Sequence, residues 1–242
     1  MREFRSREDA ERLRDFISTL RSAVWGRVET ALGPRKLGVL RRLLTHPAPD
    51  ILGVLGRAND ENSHSEVLRW LLDPKDARGV APSALRALVA TLDDAQGWQQ
   101  LVATAANHDS LSVRREYAFG REWATGSLDR IDIVITGPGF VIAIENKVAA
   151  AEHDNQTHAY WEWLSSLQVR RAGFFLSPSG IAARCSSFRP LSYLDLLACL
   201  LEGPAVEAIG PDEETVLAGY AKTLAKHVLR TELTAIGGGG AR

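Results

Sequence analysis

The sequence predicts an α/β fold, a mixed central sheet flanked by helices with the element order α-β-β-β-α-β over residues 63–177 and further helices at both ends. Three observations predict it. Apolar residues recur at helical spacing up to about residue 92 and then alternate singly from Val113 to Phe119. Two segments rich in β-branched residues, DRIDIVIT and FVIAIENK, are separated by Gly137-Pro138-Gly139 and read as a hairpin. A helical stretch from Glu152 to about Gln168 then leads to a short apolar strand, RAGFFLS, bounded by Pro178 and Gly180.

Taken in order, residues 5–32 carry Leu13, Phe16, Ile17, Leu20, Val24 and Val28 at spacings of three and four, an amphipathic helix that Gly33-Pro34 should stop. A second basic helix is expected from Lys36 to Thr45, which makes residues 1–58 a helical N-terminal extension. In NDENSHSEVLRWLLDP, Ser63 and Glu66 have the spacing of a capping box, Val67, Leu68, Leu71 and Leu72 form the buried face, and Pro74 ends the helix. Another helix is expected over residues 83–92. Beyond the apolar strand, LSYLDLLACLL and ETVLAGYAKTLAKHVL read as helices and IGGGGAR as a flexible tail. The expected divisions are a core over 59–205, a C-terminal helix over 206–235 and the tail over 236–242.

At 242 residues and 45% hydrophobic content the chain can bury a substantial core. It has no run of eighteen apolar residues, and its charged start lacks the apolar segment of a signal peptide, so a cytoplasmic protein without a membrane partner is expected. Cys185 and Cys199 lack metal or redox spacing and read as structural thiols. Residues 1–57 hold 12 Lys/Arg against 7 Asp/Glu, whereas the remainder is acidic, so the N-terminal part offers either a phosphate contact surface or a solvated helix face.

The chemistry concentrates in the hairpin. Antiparallel partners have residue numbers of constant sum, and a turn centred on Pro138 and Gly139 gives 277, which sets Asp132 opposite Glu145. Their Cβ atoms should then be roughly 5 Å apart, with Lys147 on the same face two residues beyond Glu145. Two carboxylates that close repel unless a cation lies between them or one is protonated. Oxygen donors suit Mg²⁺ or Mn²⁺ rather than zinc. Such a cation polarises a phosphoryl oxygen and activates water, while the lysine positions that water or offsets developing charge, which is the chemistry of phosphodiester hydrolysis. The tripeptide E-x-K alone is weak, since this composition yields it by chance about 0.3 times. Asp73-Pro74-Lys75 fits D-x-K at a helix end and has no partner strand.

Asp132 followed by thirteen residues and Glu145-Asn146-Lys147 on the next strand resembles the signature of the PD-(D/E)XK nucleases. The wider pattern NDENSHSEVLRWLLDP, DRIDIVI and VIAIENKVAAAEHDNQTHAY is similar to a bacterial branch of that superfamily over about residues 59–177, with Ile131 where the motif has proline. The resemblance implies a restriction-endonuclease-like core, metal held by Asp132, Glu145 and the Asn146 carbonyl, and Lys147 acting on the water. It implies that Glu66 adds a metal ligand, against its simpler reading as a helix cap. It also implies that Gln156 and Tyr160 contact nucleic acid, against a surface glutamine and a core aromatic. A DNA-cutting enzyme of bacterial defence, as a homodimer or with a partner protein, is the expected function. A catalytically silent nuclease-fold module that binds nucleic acid or a partner is the alternative. His64, His153 and His158 read as hydrogen-bonding residues rather than ligands, and Trp161 and Trp163 as core or as stacking platforms.

Overall fold

In the computed structural model, which describes residues 24–119, 129–149, 152, 155–202 and 209–229, the hairpin forms the middle of a five-stranded sheet. The strands are β1 (Ser112–Phe119), β2 (Asp129–Gly137), β3 (Phe140–Asn146), β4 (Arg170–Ser177) and β5 (Phe188–Ser192), in spatial order β1-β2-β3-β4-β5. β1, β2 and β3 are antiparallel neighbours, whereas β3, β4 and β5 run parallel, so the sheet is mixed as expected. The register read from the sequence holds from Ile133 opposite Ile144, through Val134 opposite Ala143, to Gly137 opposite Phe140, but the ladder stops short of the expected pair Asp132 and Glu145. Pro138 and Gly139 make the turn, and Gly139 has φ +80°, which a type II turn requires of its third residue.

Every residue of β3 is buried, because helices cover both faces of the sheet. Phe140, Ile142 and Ile144 point into the larger apolar cluster, and Val141 and Ala143 into the smaller one. The smaller cluster is closed by Tyr160 and Leu164 of the helix Gln156–Ser166. The larger is closed by α1 (Val24–Thr45), α2 (Glu61–Leu72), α3 (Ala81–Val89), α4 (Ala95–Asn107), α6 (Tyr193–Leu200) and α7 (Pro211–Thr223), so the Gln156–Ser166 helix is α5. Each fully buried Leu, Ile or Phe in these layers contributes about 1.5–3 kcal/mol of transfer free energy.

The expected stop at Gly33-Pro34 is a break inside one helical unit. Gly33 takes φ +67° and ψ 171°, and Pro34 opens the second segment, where its missing N–H is not needed. α7 runs into a π-helical turn, Leu224–Val228, and packs on α1, so the two helical additions meet. Asp50 fastens that junction, accepting from Thr223 Oγ1 at 2.7 Å and standing 2.7 Å from His227 Nε2. Cys185 and Cys199 are buried free thiols, and burial pushes the Cys199 thiol up to about 12. Among the described residues no helix is long and apolar enough to cross a membrane. The stripe of residues 5–23, His153 and the glycine tail lie outside the described residues.

Two elements depart from the sequence expectation. α4 was not expected: its buried stripe is only Trp98, Val102 and Ala105, and Gly97 stands in its first turn. β5 contains Pro190, which argues against a central strand, but β5 is the edge of the sheet, where proline removes no ladder bond. The helix expected from LSYLDLLACLL therefore starts only at Tyr193, with Ser192 and Asp195 in a reciprocal capping box.

Candidate active site

β1 and β2 both break at one level. Arg115 pairs with Ile133 and Tyr117 with Ile131, but Glu116 and Asp132 between them do not pair, and Glu116 has φ +50°. The break reverses the faces of both strands. In β2, Ile133 and Ile135 join the larger cluster while Ile131 joins the smaller; in β1, Val113 joins the larger while Tyr117 and Phe119 pack on the smaller. A left-handed backbone costs a glutamate roughly 1–2 kcal/mol, and the expenditure falls beside the residue expected to hold metal.

Released from the ladder, the Asp132 carboxylate caps the next strand, with Oδ2 accepting the Asn146 backbone N–H at 2.7 Å. Glu145 is fully buried, and neither of its carboxylate oxygens has a hydrogen-bond partner among the described residues. Lys147 Nζ lies 2.8 Å from Glu145 Oε1 as a close ion pair. Burial, opposed by the Asn146 N–H and Lys147, pushes the Asp132 carboxyl up to about 6. Burial, reinforced by the charge of Asp132 and opposed by Lys147, pushes Glu145 up to about 8. For Lys147 burial disfavours the charge, but Glu145, Glu61 and Asp132 outweigh it and hold the ammonium above its ordinary value. The three residues expected to meet do meet.

A fourth residue, and third carboxylate, joins them that sequence reasoning passed over. Glu61 opens α2, and its Oε1 accepts the Val148 N–H at 3.0 Å and the Ala149 N–H at 3.5 Å, while Oε2 lies 3.7 Å from Lys147 Nζ. The available signal was the acid at the start of a helix in NDENSHSE, masked by reading Ser63 as the cap. The cap is Asp60, whose side chain accepts from the Asn62 N–H and from the Ser63 hydroxyl.

Glu66 is thereby corrected on both expectations. It caps nothing, and it stands five residues after Glu61, about 140° further round the helix. There it is half exposed and paired with Arg115 at 2.9 Å and Arg69 at 3.3 Å. The expected nucleic-acid contact of Tyr160 is corrected by burial: its ring lies in the smaller cluster, and its hydroxyl donates to the Arg130 carbonyl at 2.5 Å and accepts from Gln156 Nε2 at 2.6 Å. Gln156 is half-buried, with Oε1 unpartnered among the described residues. His64 is a buried hydrogen-bonding residue and His158 is exposed. Trp163 packs on Tyr117 and Phe119, and Trp161 on Phe188, all at the margin of the smaller cluster. A cavity of about 1000 Å³ lined by Arg86, Gln96, Gln100 and Arg189 lies apart from Asp132, Glu145, Lys147 and Glu61, none of which lines it.

Among the described residues no three His, Cys, Asp or Glu side chains form a metal cage alone. The residues that could hold a cation are the Asp132 and Glu145 carboxylates with the carbonyl of Asn146, the residue after Glu145, a hard-oxygen set that would leave water to fill the remaining positions. The buried Glu145 carboxylate, with Oε2 unpartnered among the described residues and Oε1 facing only the Lys147 ammonium, fits such an ion. A model of a family described as PD-(D/E)XK nuclease superfamily matches residues 49–187. No curated protein and no solved structure matches the chain.

Proposed function

This chain belongs to the PD-(D/E)XK nuclease superfamily, and on that premise we propose that it hydrolyses phosphodiester bonds of DNA using Mg²⁺ or Mn²⁺ held by Asp132, Glu145 and the Asn146 carbonyl. The observation that carries the reading is Glu145: a fully buried carboxylate whose Oε2 has no partner among the described residues and whose Oε1 meets only the Lys147 ammonium, set beside the partly buried acid Asp132. Leaving such a group in place is costly unless a cation completes it. The bound cation would supply polarisation of the scissile phosphate and a more acidic water.

The chain's own groups divide the remaining work. Asp132 is aimed by its bond to the Asn146 N–H, and that bond uses one oxygen and leaves the other free. Lys147 stays an ammonium at neutral pH, so it serves as a charge and hydrogen-bond donor to water or to a phosphoryl oxygen rather than as a base. Glu61 holds the turn after β3 through two backbone N–H groups and thereby fixes where Lys147 starts. The Lys147 N–H, bonded to the Leu176 carbonyl at 2.8 Å, extends the β3–β4 ladder to the same residue.

The test is cleavage of plasmid, single-stranded DNA and RNA with and without Mg²⁺ or Mn²⁺. Metal-dependent cleavage of DNA, abolished by Asp132→Ala and by Lys147→Ala, is the expected result. Failure to cut any substrate, or cleavage that survives both substitutions, overturns the proposal and leaves a silent nuclease-fold module as the reading. Cleavage of RNA alone overturns the assignment of DNA.

A further inference from the structure

We propose that Tyr193 and Ser65 clamp the side chain of Asn146, and that this clamp positions the Asn146 peptide and so sets the metal affinity of the site; the inference rests on the metal site proposed above. Asn146 is the middle residue of Glu145-Asn146-Lys147, a position where the hairpin chemistry demands nothing of the side chain. That side chain is nevertheless fully buried and bonded at every face. Nδ2 donates to the Glu61 carbonyl at 3.1 Å and to Ser65 Oγ at 3.0 Å, and Oδ1 accepts the Tyr193 hydroxyl at 2.6 Å. The orientation is not arbitrary. A carbonyl only accepts, so the nitrogen must face Glu61, and the phenol must then donate to the oxygen.

The same residue carries the backbone of the site. Its N–H goes to Asp132, and it pairs with Leu176 across the sheet. Asn146 is thus tied to β2, β4, α2 and α6 at once, and its carbonyl cannot turn without breaking bonds in buried surroundings. Fixing a backbone donor in this way is what residues behind a metal ligand do, and their loss typically weakens metal binding about 10–100-fold.

The anchors are themselves held. Ser65 and Tyr193 are fully buried. The His64 ring packs edge-on to Tyr193 at 5.5 Å and to Tyr220 at 5.6 Å. His64 Nε2 faces the Ala58 carbonyl at 2.8 Å and so carries the hydrogen, which leaves Nδ1, 3.0 Å from the Tyr220 oxygen, to accept that hydroxyl when the ring is neutral. Tyr193 and Tyr220 belong to α6 and α7, outside the residues matched to the superfamily. The C-terminal helices therefore act on the site through Asn146, beyond closing the core. Tyr193 and Ser65 are positioning residues, since neither is placed to touch substrate or metal.

The experiment uses the full chain with Tyr193→Phe and Ser65→Ala. Two readouts are taken: the Mn²⁺ dissociation constant by calorimetry, and hydrogen exchange of the Asn146 backbone amide in the metal-free protein by NMR. Tyr193→Phe should raise the dissociation constant about tenfold and speed Asn146 exchange, with Ser65→Ala changing both in the same direction. A wild-type dissociation constant together with unchanged exchange in Tyr193→Phe overturns the clamp. Should Tyr193→Phe not fold, Ser65→Ala decides by the same two measurements. Should the wild-type chain bind no Mn²⁺, the proposed function fails, and exchange at Asn146 alone decides the clamp: faster exchange in the variants supports it and unchanged exchange removes it.

Discussion

Replacing Glu145 with glutamine is expected to stabilise the metal-free protein at alkaline pH. Burial, with the Asp132 charge added, moves the Glu145 carboxyl from an ordinary 4.5 to about 8. Between those two values the folded chain holds a proton that the unfolded chain has released, so stability falls as pH rises through this window. At 1.36 kcal/mol per pKa unit the loss is about 5 kcal/mol once the group is ionised. Glutamine cannot ionise and escapes that loss, although its amide meets the Lys147 ammonium and recovers only part of it. For a chain of this size 1 kcal/mol shifts the melting temperature by about 2–4 °C. Glu145→Gln should therefore melt about 5–12 °C above wild type at pH 9 and close to wild type at pH 4.5. The assay is differential scanning calorimetry in chelator across that range. With Mn²⁺ at a hundred times its dissociation constant the order should close or reverse, because the wild-type chain gains about 2.7 kcal/mol that the variant forgoes. A variant no more stable than wild type at pH 9, or a difference that does not grow with pH, refutes the claim that burial outweighs the Lys147 ion pair.

Two further outcomes follow from the same groups. Metal requires both carboxylates ionised, so Mn²⁺ affinity should rise as pH climbs through about 6 and again through about 8, with protons released on binding. Calorimetry in buffers of different ionisation heat measures that release, and a flat affinity from pH 5.5 to 8.5 contradicts it. Glu61→Ala removes the acceptor for the Val148 and Ala149 amides and one carboxylate beside Lys147, so cleavage should fall about tenfold or more. Glu66→Ala, which loses only partly exposed pairs with Arg69 and Arg115, should stay within about twofold, since such pairs are weak. Equal losses in the two variants would reverse the assignment of the helix glutamate.

The central hairpin was legible because its signals are local and period-two: β-branched alternation, a Pro-Gly turn and a constant residue sum predict the register and bring Asp132 to Glu145. Glu61 was not legible, because choosing between two glutamates on one helix depends on where the helix starts. Asp60 rather than Ser63 caps it, a shift of three residues that places a different acid toward the site. Tyr160 shows the opposite limit, since a tyrosine one turn after a glutamine fits a surface contact or a core residue equally, and only burial separates them. The Glu116 break was likewise out of reach: an apolar alternation predicts an uninterrupted strand, and nothing local in REYAF favours a positive φ. β5 was hidden by Pro190, whose cost depends on whether a neighbour lies on the far side.

The two unforeseen features share a cause with the predicted one. A hairpin in perfect alternation would present Asp132 to the smaller apolar cluster, beneath α5, together with Val134. The paired break at Glu116 and Asp132 lifts the acid out of the ladder, so that its carboxylate turns along the strand and captures the Asn146 N–H. Glu61 performs the equivalent service one step further on, capturing the amides of Val148 and Ala149 where β3 ends. Each acid thus secures main chain on one side of Glu145, and Glu145 is left with only the Lys147 ammonium beside Oε1 and no partner for Oε2 among the described residues. A scaffold that only binds could carry glutamine at this position and be more stable without metal, so a buried glutamate here is what favours a cation and chemistry.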